Sequence, residues 1–296
     1  MKRFLQFAAA GLLVAGCSTL SIDLPAITES PTGERETGRV VWHDLLTTTP
    51  EESRRFYAEL FGWTFEKPPM AIGFGRGDAY MLIRHEGRLI GGMVDARLLE
   101  KDENPSQGMT VISTEDIPAA TAAISGNGGE ILTEPVTLPT RGTMGVYADA
   151  SGALFALLES RDGDPAVEPP AVNGFLWDEL WTHDIPGSVV FYANVLGLTH
   201  EERAVNDGEV TYELLKRGDM PAVGILEHPV AEARPVWANY LRVEDPAAIT
   251  ARVEELGGSV ALDAQAREIG GEVAVILGPS GAGIALQTWP LTENAE

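Results

Sequence analysis

The stretch that decides the fold is written twice, as VWHDLLTTTPEESRRFYAELFG at positions 41–62 and as LWDELWTHDIPGSVVFYANVLG at positions 176–197. Trp42 and Trp177 are 135 residues apart, and the Phe-Tyr pairs and final glycines of the two copies keep that separation. In each copy an apolar run precedes proline, and bulky apolar side chains then follow at helical spacing. This pattern predicts a buried strand followed by a helix with one apolar face. Such a unit cannot bury its apolar face alone, so two copies predict two equivalent modules.

The rest of the chain repeats in the same order. Each copy is followed by a predicted hairpin, at 80–93 and 212–225, and by a second strand and helix, at 109–129 and 238–258. A Ser-Gly turn then leads into an apolar strand at 154–158 and at 284–286. We therefore predict an α+β fold with a first module at 39–161, a linker at 162–172, a second module at 173–291 and a tail at 292–296.

The N-terminus has the pattern of a bacterial export signal. Lys2 and Arg3 precede an apolar run at 4–14, which is shorter than the roughly 20 residues needed to span a bilayer. The run ends in Val-Ala-Gly-Cys, where Cys17 is the only cysteine of the chain. This ending resembles a lipobox, which predicts a signal peptide at 1–16, lipidation of Cys17 and a location in the bacterial envelope. We expect the outer membrane, with the protein facing the periplasm.

The charge and composition of the chain indicate which classes of binding partner are disfavoured. The formal net charge is −23, which disfavours nucleic acid and anionic lipid headgroups, so only the N-terminal lipid is expected to contact the membrane. Residues 17–38 are rich in Ser, Thr, Pro and Glu, which predicts a lipidated, flexible tether. A single cysteine excludes a disulfide within the chain. The oligomeric state is left open.

These motifs together resemble the vicinal oxygen chelate family, which includes glyoxalase I, extradiol dioxygenases and bleomycin-resistance proteins. The resemblance covers about residues 39–291 and is carried by Phe56-Tyr57, Phe61-Gly62-Trp63, Phe191-Tyr192, Leu196-Gly197-Leu198, the Gly-Gly helix ends, Ser151-Gly152 and Ser280-Gly281. It implies that each module pairs two βαβββ units in a curved mixed sheet. It also implies helices outside and an inner face, here called a cup, that is open to ligand.

Members of this family that use a metal hold it with side chains from the first, fifth and last strands of a module. Aligned on the shared motifs, those positions are Trp42, Met109 and Ala156 in the first module and Trp177, Ala238 and Ala285 in the second. None of these residue types is a usual ligand for a divalent ion. No cofactor is therefore expected.

Strand alternation predicts which side chains line the cups. Trp42, Asp44 and Leu46 share a face with Met109 and Val111, whereas Trp177, Glu179 and Trp181 share a face with Tyr240 and Arg242. Aromatic residues with a few polar groups are typical of a small-molecule pocket. The candidate ligand-binding residues are Trp42, Asp44, Met109, Trp177, Glu179, Trp181, Tyr240 and Arg242. We expect an ion pair between Glu179 and Arg242, while the sequence offers no partner for Asp44.

Three functions fit this pattern. The first is an envelope-anchored lipoprotein that binds a small molecule without a metal. The second is a glyoxalase I-like lyase or dioxygenase-like metalloenzyme with atypical ligands, such as Asp44, Glu179 or one of the five histidines. The third is an interaction scaffold whose cups are closed by side chains. The catalytic residues of an enzyme of this kind are not indicated by any motif.

Overall fold

Two eight-stranded sheets form the molecule. The computed structural model describes residues 24–68, 79–99, 104–205, 210–267 and 270–289. The first sheet contains β1 (Val40–Thr47), β2 (Thr64–Glu66), β3 (Tyr80–His85), β4 (Arg88–Asp95), β5 (Gln107–Ser113), β6 (Glu130–Leu138), β7 (Gly142–Ala148) and β8 (Leu154–Ser160). The second contains β9 (Phe175–Thr182), β10 (Thr199–Val205), β11 (Val210–Arg217), β12 (Met220–Glu227), β13 (Val236–Arg242), β14 (Ser259–Ala266), β15 (Glu272–Leu277) and β16 (Gly283–Gln287).

Both sheets have the same strand order. The first runs β2-β3-β4-β1-β5-β8-β7-β6 and the second runs β10-β11-β12-β9-β13-β16-β15-β14. The first strands of the two units in each module, β1 with β5 and β9 with β13, pair antiparallel at the sheet centre. Each module is thus two βαβββ units, and the predicted α+β fold of two tandem modules is confirmed.

Within the described ranges, four α-helices join the strands where the repeat predicts them. They are α1 (Pro50–Phe61), α2 (Ile117–Gly126), α3 (Ile185–Leu196) and α4 (Pro246–Val253), and short 3₁₀ turns occur at Ala96–Leu98 and Glu254–Leu256. The carboxylate of Asp184 accepts a hydrogen bond of 3.0 Å from the Gly187 N–H and so caps α3. Gly62 and Gly197 end α1 and α3 with φ of 71° and 65°, a conformation that glycine adopts without strain.

The two sheets pack against each other through their outer faces. One buried cluster joins α2 and α3 to both sheets. It includes Phe155 of the first sheet, Phe191 of α3 and Trp237 of the second sheet. A second cluster joins α1 and the 3₁₀ region after α4 to both sheets, among them Phe56, Trp63 and Leu286. Large apolar side chains are thus buried between the sheets and the helices. The inner face of each sheet, its cup, lies on the side away from this interface.

A polar contact lies at the centre of this interface. His43 Nε2 is 3.0 Å from an Asp178 carboxylate oxygen, and these residues occupy equivalent positions of the repeat. Thr110 and Asn239, another equivalent pair, donate hydrogen bonds to the same carboxylate at 3.2 Å and 2.6 Å. Because every group has a partner, the cluster can stay buried between the modules.

The N-terminal segment, residues 24–38, corrects one prediction. These residues were expected to belong to a flexible tether, yet Leu24 and Ile27 are buried in the same cluster as Trp42 of the first cup. The Thr32 N–H also donates 3.0 Å to the Asp164 carbonyl. Two apolar side chains three residues apart are too few to alter the composition of the segment, but the apolar face of the first cup buries both.

The export signal and the lipidation site at Cys17 lie outside the described residues. Within the part of the chain that the structure describes, no helix is long and apolar enough to cross a membrane.

Candidate site: two buried carboxylate clusters in the cups

The inner face of the first sheet carries the side chains predicted for the first cup. Trp42 is paired with Val111 and Asp44 with Met109 across β1 and β5. Trp42, Met109 and Val111 belong to one buried cluster together with Leu24 and Ile27 of the N-terminal segment. The first cup is therefore filled by the chain's own residues.

Asp44 is the buried carboxylate of the first cup. Tyr80 Oη donates a 2.7 Å hydrogen bond to Asp44 Oδ1, and Trp42 Nε1 donates to the same oxygen at 3.0 Å. Burial raises the pKa of Asp44, and the charge of Arg141 together with these two hydrogen bonds opposes that shift.

Arg141 lies beside this carboxylate and is only 1% exposed. Its Nη1 donates to Tyr80 Oη at 3.2 Å, and its Nε donates to the Pro25 carbonyl at 2.9 Å. The guanidinium carbon lies 4.9 Å from the centroid of the Trp42 ring, at cation–π distance. Arg141 thus joins Asp44 to the N-terminal segment.

The second cup repeats this arrangement around Glu179, which is fully buried. Tyr212 Oη donates to Glu179 Oε1 at 2.7 Å, and Tyr240 Oη donates to Oε2. Arg267 Nη2 lies 2.5 Å from Glu179 Oε1 and forms an ion pair. Trp181 Nε1 also donates to Oε2 at 3.5 Å, so the carboxylate is held by two hydroxyls, one guanidinium and one indole N–H.

Arg267 is also held from other sides. Its Nη1 donates to Gln287 Oε1, and its guanidinium carbon lies 4.9 Å from the Tyr240 ring centroid. Burial lowers the pKa of Arg267, but the negative charge of Glu179 and the neighbouring tyrosines outweigh it, so the pKa is raised overall. Arg267 is a permanent cation in this site.

The predicted ion pair between Glu179 and Arg242 is wrong. Arg242 Nη1 donates 2.7 Å to the Pro170 carbonyl in the linker, and Arg267 takes its place beside Glu179. Arg242 lies at the end of β13, so its long side chain reaches the linker instead of the cup centre. Asp44, which had no obvious partner in sequence, is served by Trp42, Tyr80 and Arg141.

Sequence reasoning missed both arginines for one reason. Arg141 precedes β7 and Arg267 follows β14, so each lies in the connection between the last-but-two and last-but-one strands of its module, but at different repeat positions. A comparison that relies on constant spacing does not pair them. The available signal was chemical, because each buried carboxylate required a cation and a loop arginine was within reach of each cup.

The two cups differ in how far they are covered. Trp42 is 2% exposed, whereas its equivalent Trp177 and the nearby Trp181 are only partly buried. Trp177 Nε1 donates 3.0 Å to Tyr212 Oη, so its indole is fixed at one edge while part of its surface faces solvent. The second cup thus presents an aromatic surface beside the Glu179–Arg267 pair.

The residues in the cups do not fit the divalent ion that metal-using relatives of this fold hold. In the first cup the three positions that would supply ligands carry indole, thioether and methyl side chains, at Trp42, Met109 and Ala156. In the second cup they carry one indole and two methyl side chains, at Trp177, Ala238 and Ala285. Asp44 Oδ1 and both oxygens of Glu179 accept hydrogen bonds from N–H and O–H donors, which compete with a cation for the same oxygens. The side chains of the two cups are therefore not a set that would hold this ion.

The histidines lie outside the cups' centres. His43 is at the module interface, and His183 and His228 lie side by side at the rim of the second cup with ring centroids 5.3 Å apart. Hydrogen bonding to Glu227 raises the pKa of His183, while burial lowers that of His228. Among the described residues, the group whose ligand atoms converge within 4.8 Å is His200, Glu202 and Glu213, on β10 and β11. His200 already contacts Glu213 there.

Comparison with known proteins agrees with this architecture. Both halves of the chain match the family described as Glyoxalase/Bleomycin resistance protein/Dioxygenase superfamily, over residues 39–157 and 174–286. The protein belongs to this superfamily, which confirms the resemblance noted in the sequence.

Individual relatives span nearly the whole chain. The "Anthracycline biosynthesis protein DnrV" of Streptomyces peucetius is 30% identical over 263 residues, which cover 84% of this chain and 92% of that protein. The "Putative glyoxylase CFP32" of Mycobacterium tuberculosis is 27% identical over 249 residues, covering 84% of this chain and 94% of that protein. The Mn(II)-bound glyoxalase from Novosphingobium aromaticivorans shares the fold with a TM-score of 0.57 at 14% identity, covering 86% of this chain and 83% of that one.

Proposed function

We propose that this protein is an envelope-anchored lipoprotein that binds a small, planar aromatic molecule in its second cup without a metal ion. The observation that carries the proposal is the partly exposed pair Trp177 and Trp181, which lies over the buried Glu179–Arg267 ion pair. Exposed indole faces inside a cup lined by fixed polar groups are the usual surroundings of an aromatic ligand.

The buried polar groups favour a neutral ligand. The charges of Glu179 and Arg267 already balance each other at 2.5 Å, so a charged ligand would gain no unpaired counterion in this cup. The name of the Streptomyces relative supports the same class, because anthracyclines contain a planar anthraquinone ring system. A ligand with that ring system would lie on the indoles, with its carbonyl oxygens towards the polar groups.

The alternatives from the sequence are less well supported. A metalloenzyme with the usual arrangement would need ligand atoms at the six positions that carry indole, thioether or methyl groups. Among the atypical ligands, Asp44 Oδ1 and both oxygens of Glu179 already accept hydrogen bonds. A general base at Glu179 is disfavoured because two tyrosine hydroxyls and Arg267 already bind its oxygens. A scaffold with both cups closed fits the first cup better, since Leu24 and Ile27 are buried there, whereas Trp177 and Trp181 of the second cup keep some exposed surface.

Titration with a neutral anthraquinone that carries one hydroxymethyl side chain tests the ligand site. We expect saturable binding by isothermal titration calorimetry, and Trp181→Ala should weaken it about tenfold because one stacking surface is lost. Val190→Ala is the control, since Val190 is an exposed apolar residue of α3, outside the cups, and it should leave the Kd unchanged. Equal affinity of both variants, or no binding at all, would contradict the proposal.

Membrane attachment rests on the sequence around Cys17 and has its own test. We expect Cys17→Ala to move the protein from the membrane fraction to the soluble fraction of the envelope, because the thiol that accepts the lipid is removed. The Ser18→Ala variant is the control and should remain with the membrane. A Cys17→Ala protein that stays in the membrane fraction would rule out the lipid anchor.

A further inference from the structure

The first cup holds a buried cation, Arg141, that makes no direct ion pair with any described residue and meets Asp44 only through Tyr80 Oη. We propose that the first cup is a second binding site, specific for a carboxylate with an apolar body, and that Arg141 binds the carboxylate after residues 24–27 move away. This site differs from the proposed aromatic site in module, in charge and in the residues that form it.

Arg141 is the first observation. Its side chain is 1% exposed, and within the described part of the chain no carboxylate oxygen lies within ion-pair distance of it. Its Nη2 is buried and has no hydrogen-bond partner among these residues. An unused donor on a buried guanidinium is costly and calls for an explanation, and a bound acceptor provides one.

The N–H donors of Arg141 are only partly used. Nε and Nη2 lie on the same edge of a guanidinium and together match the two oxygens of a carboxylate. The Pro25 carbonyl provides a single oxygen, at 2.9 Å from Nε, and leaves Nη2 unpaired. The chain therefore fills half of an edge that a carboxylate would fill completely.

The neighbours of Pro25 indicate the rest of the ligand. Leu24 and Ile27 flank it and are buried among Trp42, Leu46 and Met109. A molecule that replaced residues 24–27 would therefore place an apolar group of similar size against these side chains. Asp44 supplies a nearby negative charge but leaves the Nε–Nη2 edge of Arg141 open, because the two groups are bridged by Tyr80 Oη, which accepts from Arg141 Nη1 and donates to Asp44 Oδ1.

Calorimetry with phenylacetate as the probe tests this site on the full chain. We expect saturable binding of phenylacetate and at least tenfold weaker binding of phenylacetamide, which has the same shape but no charge. Arg141→Lys keeps the charge but loses the paired edge, so it should weaken phenylacetate binding about tenfold. Binding of the neutral anthraquinone to the second cup should be unchanged in this variant, which separates the two proposals and shows that the variant is folded.

Hydrogen exchange supplies a second readout that needs no variant. Phenylacetate should increase amide exchange in residues 24–30, because the ligand displaces this segment, and phenylacetamide should not. The proposal is overturned by the absence of saturable phenylacetate binding up to about 10 mM. It is overturned equally by an affinity unaffected by Arg141→Lys, or by phenylacetate binding that leaves exchange in residues 24–30 unchanged.

Discussion

Replacement of Arg267 by methionine is expected to lower the free energy of unfolding by about 3–5 kcal/mol, measured by urea denaturation. The side chain of Glu179 has no exposed surface, and Arg267 is the cation that balances its charge at 2.5 Å. Methionine fills a similar volume but leaves the carboxylate buried with only hydrogen bonds from Tyr212, Tyr240 and, at 3.5 Å, Trp181 Nε1. The loss should therefore come from an uncompensated charge and not from a cavity.

Two further variants identify that cause. The double variant Glu179→Gln with Arg267→Met removes both charges and should recover at least half of the lost stability. Arg203→Met removes the exposed pair with Glu201 and should cost less than about 1 kcal/mol. An Arg267→Met protein no less stable than the Arg203→Met protein would mean that the buried pair does not hold the second cup together.

Substitution of Gly92 by alanine is expected to destabilise the protein by about 3 kcal/mol. Gly92 lies on β4 opposite Asp44 of β1, and a Cβ there would come within 1.9 Å of Tyr80 Oη and 2.2 Å of Asp44 Oδ1. These two atoms are hydrogen-bonded to each other, so neither can move away without breaking that bond. Gly224 occupies the same place beside Tyr212 in the second cup, at 2.0 Å, and the same result is expected for it.

Gly126→Ala is the control for these glycine substitutions. Gly126 is the last residue of α2, and an added Cβ would meet no atom within 4 Å. Since alanine favours helix over glycine, this variant should be as stable as the parent or slightly more stable. If the Gly92→Ala and Gly126→Ala proteins unfold at the same urea concentration, the space beside Tyr80 and Asp44 is not as restricted as the structure indicates.

The sequence predicted those features that depend on local pattern and on the repeat. The two strand-helix units, the hairpins and the faces of β1 and β9 follow from apolar spacing, and all are in the structure. Tyr80 and Tyr212 are the first residues of the two predicted hairpins, although their role as donors to Asp44 and Glu179 was not foreseen. Local spacing fixes where a side chain points, but not which group it meets.

The contacts that the sequence did not predict come from connections outside the repeated elements. Arg267 reaches Glu179 across 88 residues of chain, and no regular spacing links it to Arg141. The burial of Leu24 and Ile27 has the same origin, because a short polar-looking segment gains its place from the apolar face it covers. Trp42 and Trp177 are equivalent in sequence, yet Trp42 is 2% exposed and Trp177 only partly buried, since Leu24 and Ile27 pack in the cluster of Trp42.

The most direct test of the central claim is a titration of metal-depleted protein with the neutral anthraquinone described above. We propose that the second cup binds an aromatic ligand through its own side chains, because its polar groups pair with each other and leave no oxygen to coordinate a cation. After dialysis against EDTA, we expect the Kd to agree with that of untreated protein to within about twofold. Loss of binding after EDTA, with recovery on addition of one divalent ion such as Mn²⁺, would contradict the account.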